Sequence, residues 1–175
     1  NSVFTQQSKR TKERYNFNTK IGADYYASKN ITLGVVLTGY TTPGNEQSKG
    51  LSLLKNANLK VDSMVTANNS ENNSWHNGGI NFNVRHTIDT LGREISADID
   101  IVKNSSGHNQ YFNNGVLNPD GSFRSRELLA GDLPSDINIY SFKTDYTQPL
   151  QRKTKLETGL KFSLVNTDNL AKYYN

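Results

Sequence analysis

The chain has 175 residues, no cysteine, one methionine, one tryptophan and a formal charge of +4 from 20 basic and 16 acidic side chains. That length suits one domain, and the lack of cysteine excludes a disulfide scaffold, thiol catalysis and cysteine-ligated zinc. No apolar run approaches the roughly 18 residues of a membrane-crossing helix, and the weak, intermixed charge gives no reason to expect a nucleic-acid partner. Apolar residues, tyrosine included, reach only 34%. The chain can therefore build apolar faces but not a thick core. Asparagine is the over-used residue, at 23 copies.

The pattern along the chain has period two. The basic run Lys9-Arg10-Thr11-Lys12-Glu13-Arg14 reads as a solvated entrance to a first strand over 13–27. In that strand Tyr15, Phe17, Thr19, Ile21, Ala23 and Tyr25 alternate with Asn16, Asn18, Lys20, Gly22 and Asp24, one apolar face against one polar face. After the turn Ser28-Lys29-Asn30, Ile31, Leu33, Val35 and Leu37 line a second strand, 31–41. A polar segment, 42–74, follows. It holds Thr42-Pro43-Gly44-Asn45 and the asparagine-rich run 68–73, with alternation between Leu59 and Ala67 that suits a hairpin. Ile80, Phe82, Val84, His86 and Ile88 then mark a strand over 75–89. A turn follows at 89–93, where Gly92 is able to take positive φ at no steric cost. Ile95, Ala97, Ile99 and Ile101 mark the strand 94–102.

The segment 103–136 is again polar, with the turn signature Asn118-Pro119-Asp120-Gly121 and at most one helical turn at 126–130. Tyr140, Phe142, Thr144 and Tyr146 give the strand 137–147. A turn at 148–153 leads to Leu156, Thr158, Leu160, Phe162 and Leu164 in the strand 154–165. The expectation is an all-β antiparallel meander of six strands, or eight if 51–67 folds as a hairpin. Its short turns lie at one edge. Two long loops, 42–74 and 103–136, lie at the other, long enough to suggest function. That layout, with amphipathic strands of about 9–11 residues and tyrosines toward their ends, is that of a transmembrane β-barrel wall. A soluble β-sandwich, such as an adhesion or carbohydrate-binding module, alternates for the same reason and is the rival expectation.

Four stretches carry a resemblance across about residues 13–165. They are Gly22-Ala23-Asp24-Tyr25-Tyr26, Asp89-Thr90-Leu91-Gly92-Arg93-Glu94-Ile95-Ser96-Ala97-Asp98, Ser141-Phe142-Lys143-Thr144-Asp145-Tyr146 and Lys155-Leu156-Glu157-Thr158-Gly159-Leu160-Lys161. As an ordered series they resemble the outer-membrane β-barrel region of TonB-dependent receptor-like proteins of the Bacteroidetes type. The resemblance implies a partial barrel segment, 1–175, of a non-catalytic transporter in the outer membrane of a Gram-negative bacterium. Its partners would be outer-membrane lipid, the rest of the barrel and its plug. TonB would be reached only through parts with no counterpart in these residues. Six strands are fewer than the eight or so that closure needs.

No catalytic constellation, metal site or cofactor is expected. His76 and His86 lie ten residues apart, about 33 Å along one strand, too far to share a metal. His108 lacks a nearby carboxylate in sequence and receives no role. Glu94, Asp98 and Asp100 share one polar face, expected to be a hydrated lumen wall rather than an acid/base pair. Asp120, Glu127, Asp132 and Asp136 lack the spacing of a calcium loop. Ligand contact, if made, is expected from Trp75, Tyr111, Phe112 and Phe123, aromatic rings within polar, amide-rich loops.

Overall fold

The computed structural model describes residues 3–150 and 154–175. The strands are β1 (Val3–Arg14), β2 (Phe17–Tyr26), β3 (Ile31–Lys55), β4 (Val61–Thr87), β5 (Glu94–Leu117), β6 (Phe123–Asp132), β7 (Ser135–Pro149), β8 (Lys155–Asn169) and β9 (Lys172–Tyr174). All belong to one antiparallel sheet, and no helix occurs among the described residues.

The nine strands are six continuous rows. Both β1 and β2 pair with β3 in one unbroken register, Arg14 opposite Gly44 and Phe17 opposite Thr41. The gap between them faces Pro43. The Tyr15 amide donates to the Pro43 carbonyl at 3.0 Å, but proline has no N–H to return to the edge strand. The same event separates β6 from β7, which share the register of β5. There Pro134 accepts the Leu170 amide at 3.1 Å and again cannot donate. Extending the registers puts Tyr15, Pro43, Ser74, Gly107, Pro134 and Leu170 on a single row across the sheet.

The segments expected as long loops, 42–74 and 103–136, run instead as paired strand. In the first, the only unpaired stretch is 56–60, between β3 and β4; in the second, 118–122 separates β5 from β6. The strands expected to end at 41 and 102 therefore continue to Lys55 and Leu117. The physical reason is that backbone pairing needs no apolar face. Where both faces meet water the alternation disappears while the ladder continues. Beyond the proline row the first hairpin reaches about 40 Å and the second about 35 Å, at roughly 3.4 Å per residue.

Side-chain carboxylates and amides close the turns. The Asn56 carbonyl oxygen accepts the Asn58 and Lys60 amides at 3.0 and 3.2 Å. Asp89 accepts the Leu91 and Arg93 amides at 3.0 and 3.2 Å, and Asp120 accepts that of Ser122 at 2.9 Å. Gly92 and Gly121 occupy positive φ, as does Leu59, at 61°. In the turn expected at 148–153, Leu150 donates to the Thr154 carbonyl at 2.8 Å, and 151–153 lie outside the described residues.

One face of the sheet carries an apolar belt. Ala23, Val35, Phe82, Ile99, Phe142 and Phe162 form one register row of it, flanked by the row Tyr25, Leu33, Val84, Ala97, Thr144 and Leu160 and by the row Ile21, Leu37, Ile80, Ile101, Tyr140 and Leu164. The belt slants. In β2 it spans Phe17 to Tyr25, whose register row leads to Asp168 and Leu160 in β8, yet in β8 it spans Leu164 to Leu156. A slip of four residues over five strand gaps is about 14 Å against 24 Å, a tilt of about 30°, near the 35–45° of membrane barrels. Tyr26, placed by its position near the belt's end, faces the other side of the sheet from Tyr25.

No apolar residue is buried among the described residues. Leu33, Leu37, Phe82, Ile99, Phe142 and Phe162 all stand exposed on the belt. A sandwich requires a second sheet across a core about 10 Å thick. The described residues form a single sheet, and that overturns the soluble-sandwich alternative.

Candidate functional site

The face opposite the belt is polar and cross-linked. Within the belt's depth Asp100 accepts from Asn81 at 2.7 Å and from Ser141 at 3.1 Å, and Arg85 reaches Glu94 at 3.3 Å. Asp98 stands in register with Asn83 and Lys143. Glu94, Asp98 and Asp100 thus share this face, each with a polar or cationic neighbour on an adjoining strand.

Astride the proline row the same face sinks into a hollow of about 530 Å³. Its lining includes Lys12 and Arg14 from β1, Tyr40, Thr42 and Glu46 from β3, Asn73 and Trp75 from β4, and Ser106 and His108 from β5. Alternation puts them there. Lys12 and Arg14 stand two apart and face Glu46 and Gly44, while Thr42 pairs with Trp75 and Trp75 with Ser106. Tyr40 and Trp75 are diagonal cross-strand neighbours, within reach for aromatic rings at roughly 7–8 Å. Gly44 puts no side chain on the floor: a Cβ there would meet the Glu13 carbonyl oxygen at 3.2 Å and the Cβ and Cγ of Arg14 at 3.9 Å.

Glu46 anchors one wall. It is one of two buried polar side chains among the described residues, 7% exposed, and it bonds both Arg10 and Lys12, the latter at 3.1 Å. The Lys12 hydrogen bond chiefly holds its carboxyl below the usual range; desolvation opposes this and Arg10 reinforces it. In register Glu46 faces Glu71, a like-charge pair that costs stability unless each carboxylate finds a cation. Glu71 has His108 at 3.9 Å, and His108 also bonds Asn73 and Gln110. This corrects the expectation that His108 has no close carboxylate, because strand pairing brings residue 71 beside residue 108.

The four aromatic candidates do not converge. Trp75 lines the hollow on the polar face, while Phe112 shares that face six residues beyond Ser106, about 20 Å along β5. Tyr111 and Phe123 fall on the opposite face, Phe123 lying against Gly115 with the Arg126 guanidinium 5.7 Å from its ring. The residues that flank Trp75 are ones the sequence left without a role. Their signal was the period-two spacing of Arg10, Lys12 and Arg14, which a solvated run does not need.

An exposed, slanted apolar belt on one face and a cross-linked polar face behind it define the wall of a membrane β-barrel. The family model described as the outer membrane protein beta-barrel family matches residues 86–175, just over half of the chain. The chain belongs to that family, and its place is the cell outer membrane. No curated protein matches it.

Proposed function

We propose that the chain forms barrel wall and outward hairpins of a TonB-dependent receptor-like transporter of a Gram-negative bacterium, without catalysis of its own. The observation that carries this is the asymmetry of the sheet. At one end the rows close in short turns, while at the other they extend about 35–40 Å past the proline row as polar hairpins. A plain wall needs no such extension, whereas a receptor needs surface to capture a ligand before passing it through the lumen. Glu94, Asp98 and Asp100 would line that lumen, and Trp75 would meet the ligand at its mouth. The plug and TonB would engage other parts of the same barrel.

The test uses the intact polypeptide that carries this segment. Purified in detergent, it should retain the carboxy-terminal domain of TonB on a column. Because the segment has no cysteine, single cysteines at Asn58 and Asp120 should react with an impermeant maleimide on intact cells, while one at Leu91 should not. Failure to retain TonB refutes energy-coupled transport. Labelling of Leu91 in place of Asn58 refutes the outward hairpins.

A further inference from the structure

The hollow astride the proline row has a chemistry more specific than a polar wall. We propose that it binds an acidic saccharide, stacked on Trp75 with its carboxylate on Arg14; this rests on the receptor reading above.

Charge selects the ligand's sign. Arg10 and Lys12 are both engaged by Glu46, while Glu71 lies 3.9 Å from His108, an ion pair only when the imidazole is protonated. Among the described residues Arg14 takes part in no such ion pair, and it stands over the floor at Gly44. A cation left over in a concave site, beside two more that are only half neutralised, favours an anion. Guanidinium is suited to a carboxylate, whose two oxygens match its fork.

The remaining lining selects the ligand's body. Trp75, 39% exposed, offers one aromatic face. Around it on the same face are two hydroxyls and an amide, Thr42, Ser106 and Asn73. The Thr42 hydroxyl oxygen has no hydrogen-bond partner within the protein. One ring face amid small polar donors and acceptors fits a sugar ring, which carries C–H groups on one side and hydroxyls at its rim. A flat aromatic acid would leave those hydroxyls and that amide unmatched. Arg14 and Trp75 lie two strands and two residues apart, about 12 Å between Cα atoms. Side chains reaching inward from both leave room for a single acidic sugar unit.

Trp75 is the chain's one tryptophan, so the difference in emission between the wild-type protein and Trp75→Phe isolates this ring. The probes are tetragalacturonate, maltotetraose as the neutral tetramer, and benzoate as a flat acid, titrated into the protein in detergent micelles. Tetragalacturonate should change the Trp75 emission and maltotetraose and benzoate should not. Arg14→Gln, with circular dichroism confirming its sheet, should weaken tetragalacturonate about ten- to a hundredfold, the range expected for a charge-assisted bidentate contact. Equal response to maltotetraose, or an unchanged Arg14→Gln, overturns selection by charge. Equal response to benzoate overturns the saccharide, and silence toward all three overturns the site. A protein that retains TonB yet stays silent loses only this inference; one that fails to retain TonB loses the transporter reading.

Discussion

Replacing Ile99 with lysine tests the lipid-facing assignment at its centre. Ile99 lies four residues from Ile95 at one rim of the belt and four from Lys103 at the other, flanked in register by Phe82 and Phe142. Four residues are about 14 Å of strand, or about 12 Å of depth at a tilt near 30°, which is close to the midplane of a band about 25 Å tall. A lysine there should cost about 2–4 kcal/mol, a factor of roughly 30 to 900 in the folding equilibrium. The same change at Ile95, on the rim, should cost about 0–1 kcal/mol. Val102→Lys, three residues along β5 from Ile99 and on the polar face, should cost under about 1 kcal/mol because its ammonium stays hydrated. The assay is reversible urea unfolding in phospholipid bilayers, followed by Trp75 emission. Equal costs at Ile99 and Ile95, or a larger cost at Val102 than at Ile99, would refute the assignment of the faces.

Glu46 has a folded carboxyl pKa below the ordinary range, so its stabilisation is present above the unfolded pKa near 4.3 and fades as pH falls through the folded value. Thermal melting between pH 6 and 3 should show that loss in the wild type and a shallower slope in Glu46→Gln. Leu59 holds φ at 61° in the first outer turn, so Leu59→Asn should stabilise by about 0.5–1 kcal/mol in urea unfolding, with no gain if the turn is not left-handed in solution. At Gly159 a Cβ would meet the Thr144 carbonyl oxygen at 2.8 Å and crowd the Asp145 carboxylate. Gly159→Ala should cost about 1–3 kcal/mol; a neutral result would show that β8 does not hold this register on β7.

The belt strands were readable because a lipid face and a watery face impose opposite demands on successive residues. Ile80 to Ile88 and Leu156 to Leu164 display that alternation, and the pairing follows it. The continuation of β3, β4 and β5 was not readable, since runs such as Asn68–Asn73 are polar on both faces and resemble loops although each residue is paired. The hollow was legible only in pieces. Trp75 stood out by its type, but Glu46 and His108 acquire their neighbours Arg10, Lys12 and Glu71 through registers that join residues 34 to 37 positions apart. Turn chemistry was the easiest part, because Gly92 and Asp120 act within five residues of themselves.

The row from Tyr15 through Pro43, Ser74, Gly107 and Pro134 to Leu170 has a mechanical consequence. A sheet resists bending through its interstrand hydrogen bonds, and this line lacks two amide donors and, at Gly107, a side chain. Bending stiffness is therefore lowest there, and the outer hairpins can rock as levers while the belt keeps every rung of its ladder. Force applied at the hairpin tips is absorbed at the line instead of being passed to the lipid-embedded wall. The hollow spans that line, so whatever seats in it couples the two tiers and stiffens the joint.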